Sequence, residues 1–415
     1  MGLARLVHVV SSIELGNRLG LAEGVLTVPT DEAAGLFDSP ALASVAFSVA
    51  APGDSARIVK VLDAVEPRTK GVGGGGIFPG FVGPADGAAV GTGVTHLLRG
   101  AAVVVAGYLP RAQEAIIDMS GPAADLCPLA QTVNLVVEFE PADGAAWEDV
   151  DVALRVGALR LAARLAEAGL DVEPDVVEEP LDPEAGDGLP KVAALTNLQT
   201  QGTFKDVFVN GTSFAGEQPR VIDPGAIDDG AVVSGQYGHP SLKNPTWVHQ
   251  NHPVAAALRA RHGVDLCFAG VVISPEPVAM AAKEDISAAA AQVCADAGFD
   301  AVIVTKEGGG NADADMALKM DAIEELGMTA VGLFGEMSGI DGTGPPIVVP
   351  PERATAMVST GNYDHRLTLP AVERAYGGER VALVDQPATE EMELPTAVIY
   401  CALSCLGWGR LRALV

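Results

Sequence analysis

The second half of the chain alternates two periodicities, and few folds satisfy both. The apolar runs KVAALTNLQ, DLCFAGVVIS, FDAVIVTK and MTAVGLFG read as strands buried on both faces. Between them lie VAAALRARHG, EDISAAAAQVCADAG and ADADMALKMDAIEELG, whose apolar residues recur at helical spacing. Strands separated by helices of about ten to fifteen residues predict parallel pairing through crossovers, the doubly wound arrangement.

The first half reads differently. Short β-type runs, GVLTVPT, SVAFSVA and GAAVVVAGYL, alternate with turn residues, and a Gly/Pro segment from Lys70 to Gly87 interrupts them. NLVVEFEP is a predicted strand, and EDVDVALRVGALRLAARLAEAG a helix ending at Gly169. Residues Glu173 to Pro190 are acidic and proline-rich, without periodicity, and read as a linker. The expected fold class is therefore α/β. A mixed, strand-rich unit spans 1–172, a linker 173–190, and a doubly wound unit 191–415. The two units are expected to meet around Ser234 to Pro253.

Composition narrows the function classes. A chain of 415 residues with 48% hydrophobic content needs no disulfide staples, and its five cysteines are odd in number and scattered. Reduced, buried thiols are expected; Cys401 and Cys405 are spaced to meet on one helix face but lack two further ligands for a metal. A net charge of −28 leaves nothing basic to neutralise phosphates, which argues against nucleic acid and against an anionic membrane surface. No window approaches a membrane span, and the N-terminal apolar run is short for a signal peptide, so a cytoplasmic location is expected.

The stretch VVSGQYGHPSLKNPTWVHQNHP, Val232 to Pro253, holds three of the seven histidines, His239, His249 and His252. With so few aliphatics it is not expected to form a helix or strand over a core. His-x-x-His spacing can serve a metal, but no carboxylate cluster adjoins it, and no metal is assigned. Histidines among amides and a lysine equally suit a pocket that moves protons near neutral pH. KEGGGNADAD, Lys306 to Asp315, follows a strand and opens a helix, where such sheets place ligands. It lacks the spacing of a dinucleotide or P-loop motif; the plain alternative is a tight turn capped by Asn311 or Asp313. GVGGGGIFPGF either brings backbone close to a partner or is a wide surface loop. IIDMSGPAAD does not form a nucleophile elbow.

Taken together, PRTKGVGGGGIFPG, EAIIDMSGPAA, LQTQGTFKDVFVNG, DDGAVVSG, KNPTWVHQNHP, RHGVDLCFAGVVI and TKEGGGNADAD resemble the glycine/sarcosine/betaine reductase family. The likeness is to the component B subunits that are precursors of pyruvoyl-containing chains, and it runs collinearly over nearly the whole sequence. It implies self-cleavage at a cysteine within the segment SGQYGHPSLKNP. The new terminal residue becomes a pyruvoyl group, whose ketone engages the substrate's amine and weakens the carbon–nitrogen bond. The resemblance further implies selenoprotein or thiol reductase partners in a hetero-oligomer.

One departure matters. The cysteine falls on Ser241, and no cysteine lies between Cys127 and Cys267. Either serine takes the role, or this member has abandoned the cofactor and only binds a small amino acid or serves another biosynthetic pathway. The expected function is reductive cleavage of the C–N bond of glycine or a small N-substituted glycine. The expected catalytic residues are Ser241, His239, His249 and His252. Lys243, Asn244, Asn251, Gly308, Gly309 and Asn311 are expected to bind substrate, with Lys306 as an alternative cation for its anionic end.

Overall fold

The computed structural model describes residues 2–73, 76–85, 90–110, 112–182, 184–200, 207–234, 243–354, 356–403 and 412–414. The class is α/β. In the second half, seven strands form one sheet in the spatial order Arg220–Ile222, Cys267–Glu276, Lys191–Gln199, Ala301–Thr305, Thr329–Glu336, Ala356–Asn362, Arg412–Leu414. The five central strands are parallel, and the two edges are antiparallel.

Adjacent residues of the strand Lys191–Gln199 face opposite layers, as its pleat requires. Ala193 and Leu195 meet the helices Met280–Asp296 and Asn311–Glu325 through Ala290, Cys294, Met316 and Met320. Ala194 meets the helix Pro253–Arg261 through Val254, Ala255 and Leu258. Burial on both faces explains the unbroken apolar runs.

The first half is built on two four-stranded sheets, one around Leu3–Val9 and Gly93–Arg99, the other around Ala101–Ala106 and Val133–Pro141. The helix Trp147–Ala166 covers them, burying Val150, Leu154, Leu161 and Leu165. Within the acidic connection, Val176–Glu178 is a strand antiparallel to Leu3–Val9. Late in the chain, Arg374–Tyr376 pairs in parallel with Ala56–Ile58 of the first half. Arg57, fully buried, fastens this return. It bonds both oxygens of Asp118 at 2.6 and 3.0 Å and donates to the carbonyls of Pro370, Ala388 and Glu390.

Two expectations need correction. Thr246–Gln250 is a short helix, buried at every position, so this part of the histidine-rich stretch does lie on a core. Its polar groups can be buried because groups far away in sequence satisfy them, as described below. Cys401 sits in a turn with φ of 62°, not on a helix; Cys405 lies outside the described residues. Cys127, Cys294 and Cys401 are buried free thiols. The GIFPGF segment is a close backbone approach: a Cβ on Gly80 would stand 2.4 Å from the Asn210 carbonyl oxygen. Among the described residues, no helix is long and apolar enough to cross a membrane.

Candidate functional site

The first central strand laid down is Lys191–Gln199; the next, Cys267–Glu276, joins one side of it and the third, Ala301–Thr305, the other. At this reversal the crossovers leave towards opposite faces, the place where α/β sheets form a crevice, here beyond the carboxyl ends of Lys191–Gln199 and Ala301–Thr305. Glu307 stands there, just beyond the third strand, with no solvent exposure.

Several groups converge on its carboxylate. The main-chain N–H and side-chain amide of Asn244 donate to Oε1 at 2.9 and 3.0 Å. The Gln199 N–H donates to Oε2 at 2.7 Å. Lys243 Nζ lies 4.0 Å from Oε2 and donates to the Gln199 carbonyl at 2.8 Å. His249 Nε2 is 3.5 Å from Oε1, an ion-pair separation longer than a strong hydrogen bond. Burial alone would raise the Glu307 pKa. Lys243, then His249 and the Gln199 amide, outweigh burial and hold it below the ordinary glutamate value.

Behind Glu307 lies a second layer of buried charge. Glu276 accepts the Glu307 N–H at 2.9 Å, and burial followed by the nearby Asp315 pushes its pKa well up. Asp315 pairs with Lys283 and faces Lys319 at 3.6 Å; Asp313 pairs with Lys306. The two aspartates at the helix start are thus neutralised by buried lysines. Asp313 caps nothing: the helix Asn311–Glu325 has Gly310 at its N-cap, with φ of 69° and no side-chain cap.

The short helix Thr246–Gln250 separates this crevice from a second space. Thr246 donates its N–H and hydroxyl to Asp63, at 2.9 and 2.6 Å, and accepts the Ser234 N–H at 3.0 Å. Burial pushes the Asp63 pKa up to about 6 despite these Thr246 bonds. Gln250 exchanges hydrogen bonds with the Glu66 main chain. Both halves of the chain therefore hold this element.

Lys243, Asn244, His249, Gly308 and Gly309 gather around the crevice, and Asn311 is exposed at its rim. Lys243 is buried rather than solvated at the surface. Lys306 is engaged by Asp313. Asn251 and His252 face away, lining a cavity of about 620 Å3 with Arg5, Arg99 and Arg259. His252 Nδ1 accepts the Ala255 N–H at 3.2 Å, capping the helix Pro253–Arg261, so its hydrogen sits on Nε2 and points to Thr196 Oγ1 at 2.7 Å. Burial, then the neighbouring His249, pushes its pKa down to about 3. Ser241 and His239 lie outside the described residues. Among the described residues, no cluster of three or more His, Cys, Asp or Glu is arranged to hold a metal.

Sequence reasoning missed Glu307, Gln199 and Asp63. A glutamate directly after a strand at a switch point was the available signal for Glu307. Its partner Asn244 is 63 residues away, which no local pattern discloses.

Comparison with known proteins places the chain in a family. The family described as glycine/sarcosine/betaine reductase component B subunits matches residues 1–411. The chain is 38% identical over 420 aligned positions to the glycine reductase complex component B subunits alpha and beta of Peptoclostridium acidaminophilum, covering 97% of each protein. It is 37% identical over 383 positions to the protein of that name from Acetoanaerobium sticklandii, covering 91% of this chain and 89% of the relative. The sarcosine reductase complex component B subunit alpha of Peptoclostridium acidaminophilum is 34% identical over 375 positions, covering 89% of this chain and 87% of the relative. No solved structure matches. With the match running from one end of the described fold to the other, the chain belongs to the glycine/sarcosine/betaine reductase component B family.

Proposed function

We propose that this chain is the substrate-binding subunit of a glycine/sarcosine/betaine-type reductase that cleaves the C–N bond of glycine or a small N-substituted glycine. The observation that supports this most is the meeting of Lys243 and Asn244 with Glu307 at the switch point. It anchors the family's distinctive segment where an α/β sheet binds its ligand.

On this reading, N–H groups of the Gly308–Asn311 turn meet the substrate's carboxylate at the start of a helix. Lys243 is the cation that would meet it, held in place by the Gln199 carbonyl. Glu307 positions Lys243 and Asn244 rather than touching substrate, being fully buried. His249 can hold or pass a proton at Nε2, the atom facing Glu307.

A pyruvoyl group supplies an electrophilic ketone for the substrate's amine, and Ser241 is its proposed precursor. The described residues on both sides of this segment are anchored. Arg155 bonds the Ser234 carbonyl at 2.5 Å on one side, and Glu307 holds Asn244 on the other. Selenoprotein or thiol reductase subunits are the proposed partners in a hetero-oligomer. A second reading, a relative without the cofactor that only binds a small amino acid, is favoured by the serine in the cysteine's place.

Calorimetric titration of the purified chain with glycine, sarcosine and betaine tests the shared part of both readings. Binding of glycine or sarcosine is expected; no heat with any of the three would sink the substrate assignment.

A further inference from the structure

The cavity on the far side of the Thr246–Gln250 helix is not part of the Glu307 crevice, and its chemistry is different. It lies between the two halves of the chain, where ligand sites concentrate. Trp247, Pro128, Pro253 and Ala255 give it an apolar floor. Arg5, Arg99 and Arg259 approach from the sides.

Two carboxylates answer these three guanidiniums. Asp228 takes Arg5 at 3.0 Å and Arg259 at 2.9 Å, and Glu178 takes Arg5 at 2.6 Å and Arg99 at 2.9 Å. The remaining acid, Glu66, is held by Arg68 at 2.8 and 2.6 Å. One positive charge is left over, in a chain whose net charge is −28. A local surplus against so acidic a background, beside an apolar floor, matches an anion with an apolar end.

We infer that this cavity is a second ligand site, taking a small organic carboxylate whose anionic end meets Arg99 and Arg259 and whose apolar end covers Trp247. Arg99 is the accessible member, with 43% of its side chain exposed, and guanidinium groups bind carboxylates in a fixed fork. The wall of the cavity is the helix that also presents His249 to Glu307, and it keeps this site apart from the crevice.

Titration calorimetry with butyrate, acetate and inorganic phosphate on the full chain tests the site. Butyrate should bind more tightly than acetate. Arg99→Gln, at a half-exposed position that folding tolerates, should weaken butyrate at least about tenfold. Ala256→Phe, which fills the cavity from an exposed helical position, should do the same. Saturating glycine should leave butyrate binding unchanged. No butyrate binding to the parent protein overturns the inference, as does phosphate binding without butyrate binding. Displacement of butyrate by glycine would make the cavity the substrate site and end its standing as a second one. None of these results bears on whether the chain is cut before Ser241.

Discussion

Asn244 gives both its main-chain N–H and its side-chain amide to one oxygen of Glu307, at 2.9 and 3.0 Å. A residue close in sequence to Ser241 is thereby fastened to the strand end at the switch point. The carboxylate that does this is fully buried, so its charge must be compensated on the spot. Lys243 supplies the largest share of that compensation.

Removing either charge should therefore hurt folding as well as binding. Lys243→Met leaves Glu307 without its cation. Glu307→Gln sets an amide N–H or a weaker acceptor against the Gln199 N–H and Lys243. Each single change should cost about 3 kcal/mol in urea unfolding. The double variant should cost less than the sum by about 1–3 kcal/mol, because neither group is then left alone. Strict additivity would show that the pair does not interact.

His252 predicts a specific acid sensitivity. Its folded pKa is depressed to about 3, so between that value and the ordinary histidine range the unfolded chain binds the extra proton. Stability from this group is complete above pH 6.5 and falls as pH drops, by about 3 kcal/mol between pH 6.5 and 4. His252→Asn keeps an N-cap acceptor for the Ala255 N–H and removes the titration. Unfolding free energies measured across that range should slope less steeply in the variant; an unchanged slope would show that His252 is not held neutral.

Asp63 should act with the opposite sign. Its folded pKa is raised to about 6, so the folded state keeps a proton that the unfolded chain has released. The stability it contributes is present below about pH 4 and lost as pH rises through 6, about 3 kcal/mol in all. Asp63→Asn should remove that loss, making the variant's stability relative to the parent improve from pH 4 to 7. If the difference is flat with pH, the carboxyl is already ionised at pH 4.

Much of this fold was legible because its strands are buried on both faces and its helices on one. Periodicity alone separates the two in Lys191–Gln199, Met280–Asp296 and Thr329–Glu336. The helix Thr246–Gln250 was not legible, since its buried groups are polar. They are satisfied by Asp63 and Glu66, partners 183 and 184 residues away. The strand Val176–Glu178 hid in an acidic stretch because Glu178 is acidic for a tertiary reason, pairing with Arg5 and Arg99. The site divided in the same way. Lys243 and Asn244 could be read from a segment rich in polar chemistry, but the glutamate they serve could be found only through the sheet's crossover.

Two glycines should respond differently to the same substitution. Gly310 has φ of 69° and ψ of −88° with nothing within 4 Å of where a Cβ would stand, so Gly310→Ala should cost only the strain of that backbone conformation, about 1–3 kcal/mol. Gly80 has φ of 81°, and its Cβ would press on the Asn210 carbonyl and Gly211 backbone. Backbone cannot move aside as a flexible side chain can. Gly80→Ala should cost more than Gly310→Ala, by at least about 2 kcal/mol in chemical denaturation, and equal costs would contradict the packing of 80 against 210–211.

The chemistry at Ser241 is decided by covalent mass. Cleavage requires its hydroxyl to attack the Pro240 carbonyl, giving an ester that eliminates to dehydroalanine and then hydrolyses to the pyruvoyl ketone and ammonia. A serine hydroxyl is a weaker nucleophile than a cysteine thiolate and needs a neighbouring base. His252 is unsuited to that task, since it caps a helix through Nδ1 and points its Nε2 hydrogen at Thr196. His249, with Nε2 facing Glu307, is the better candidate among the described histidines. Intact mass and denaturing electrophoresis of the purified chain should show residues 1–240 and 241–415, the latter with a blocked terminus that reacts with hydrazine. His249→Ala should slow the appearance of both fragments at least about tenfold, and Ser241→Ala should abolish them. A single full-length species in protein that still supports reductase turnover with its partners would remove the pyruvoyl group from this member's chemistry.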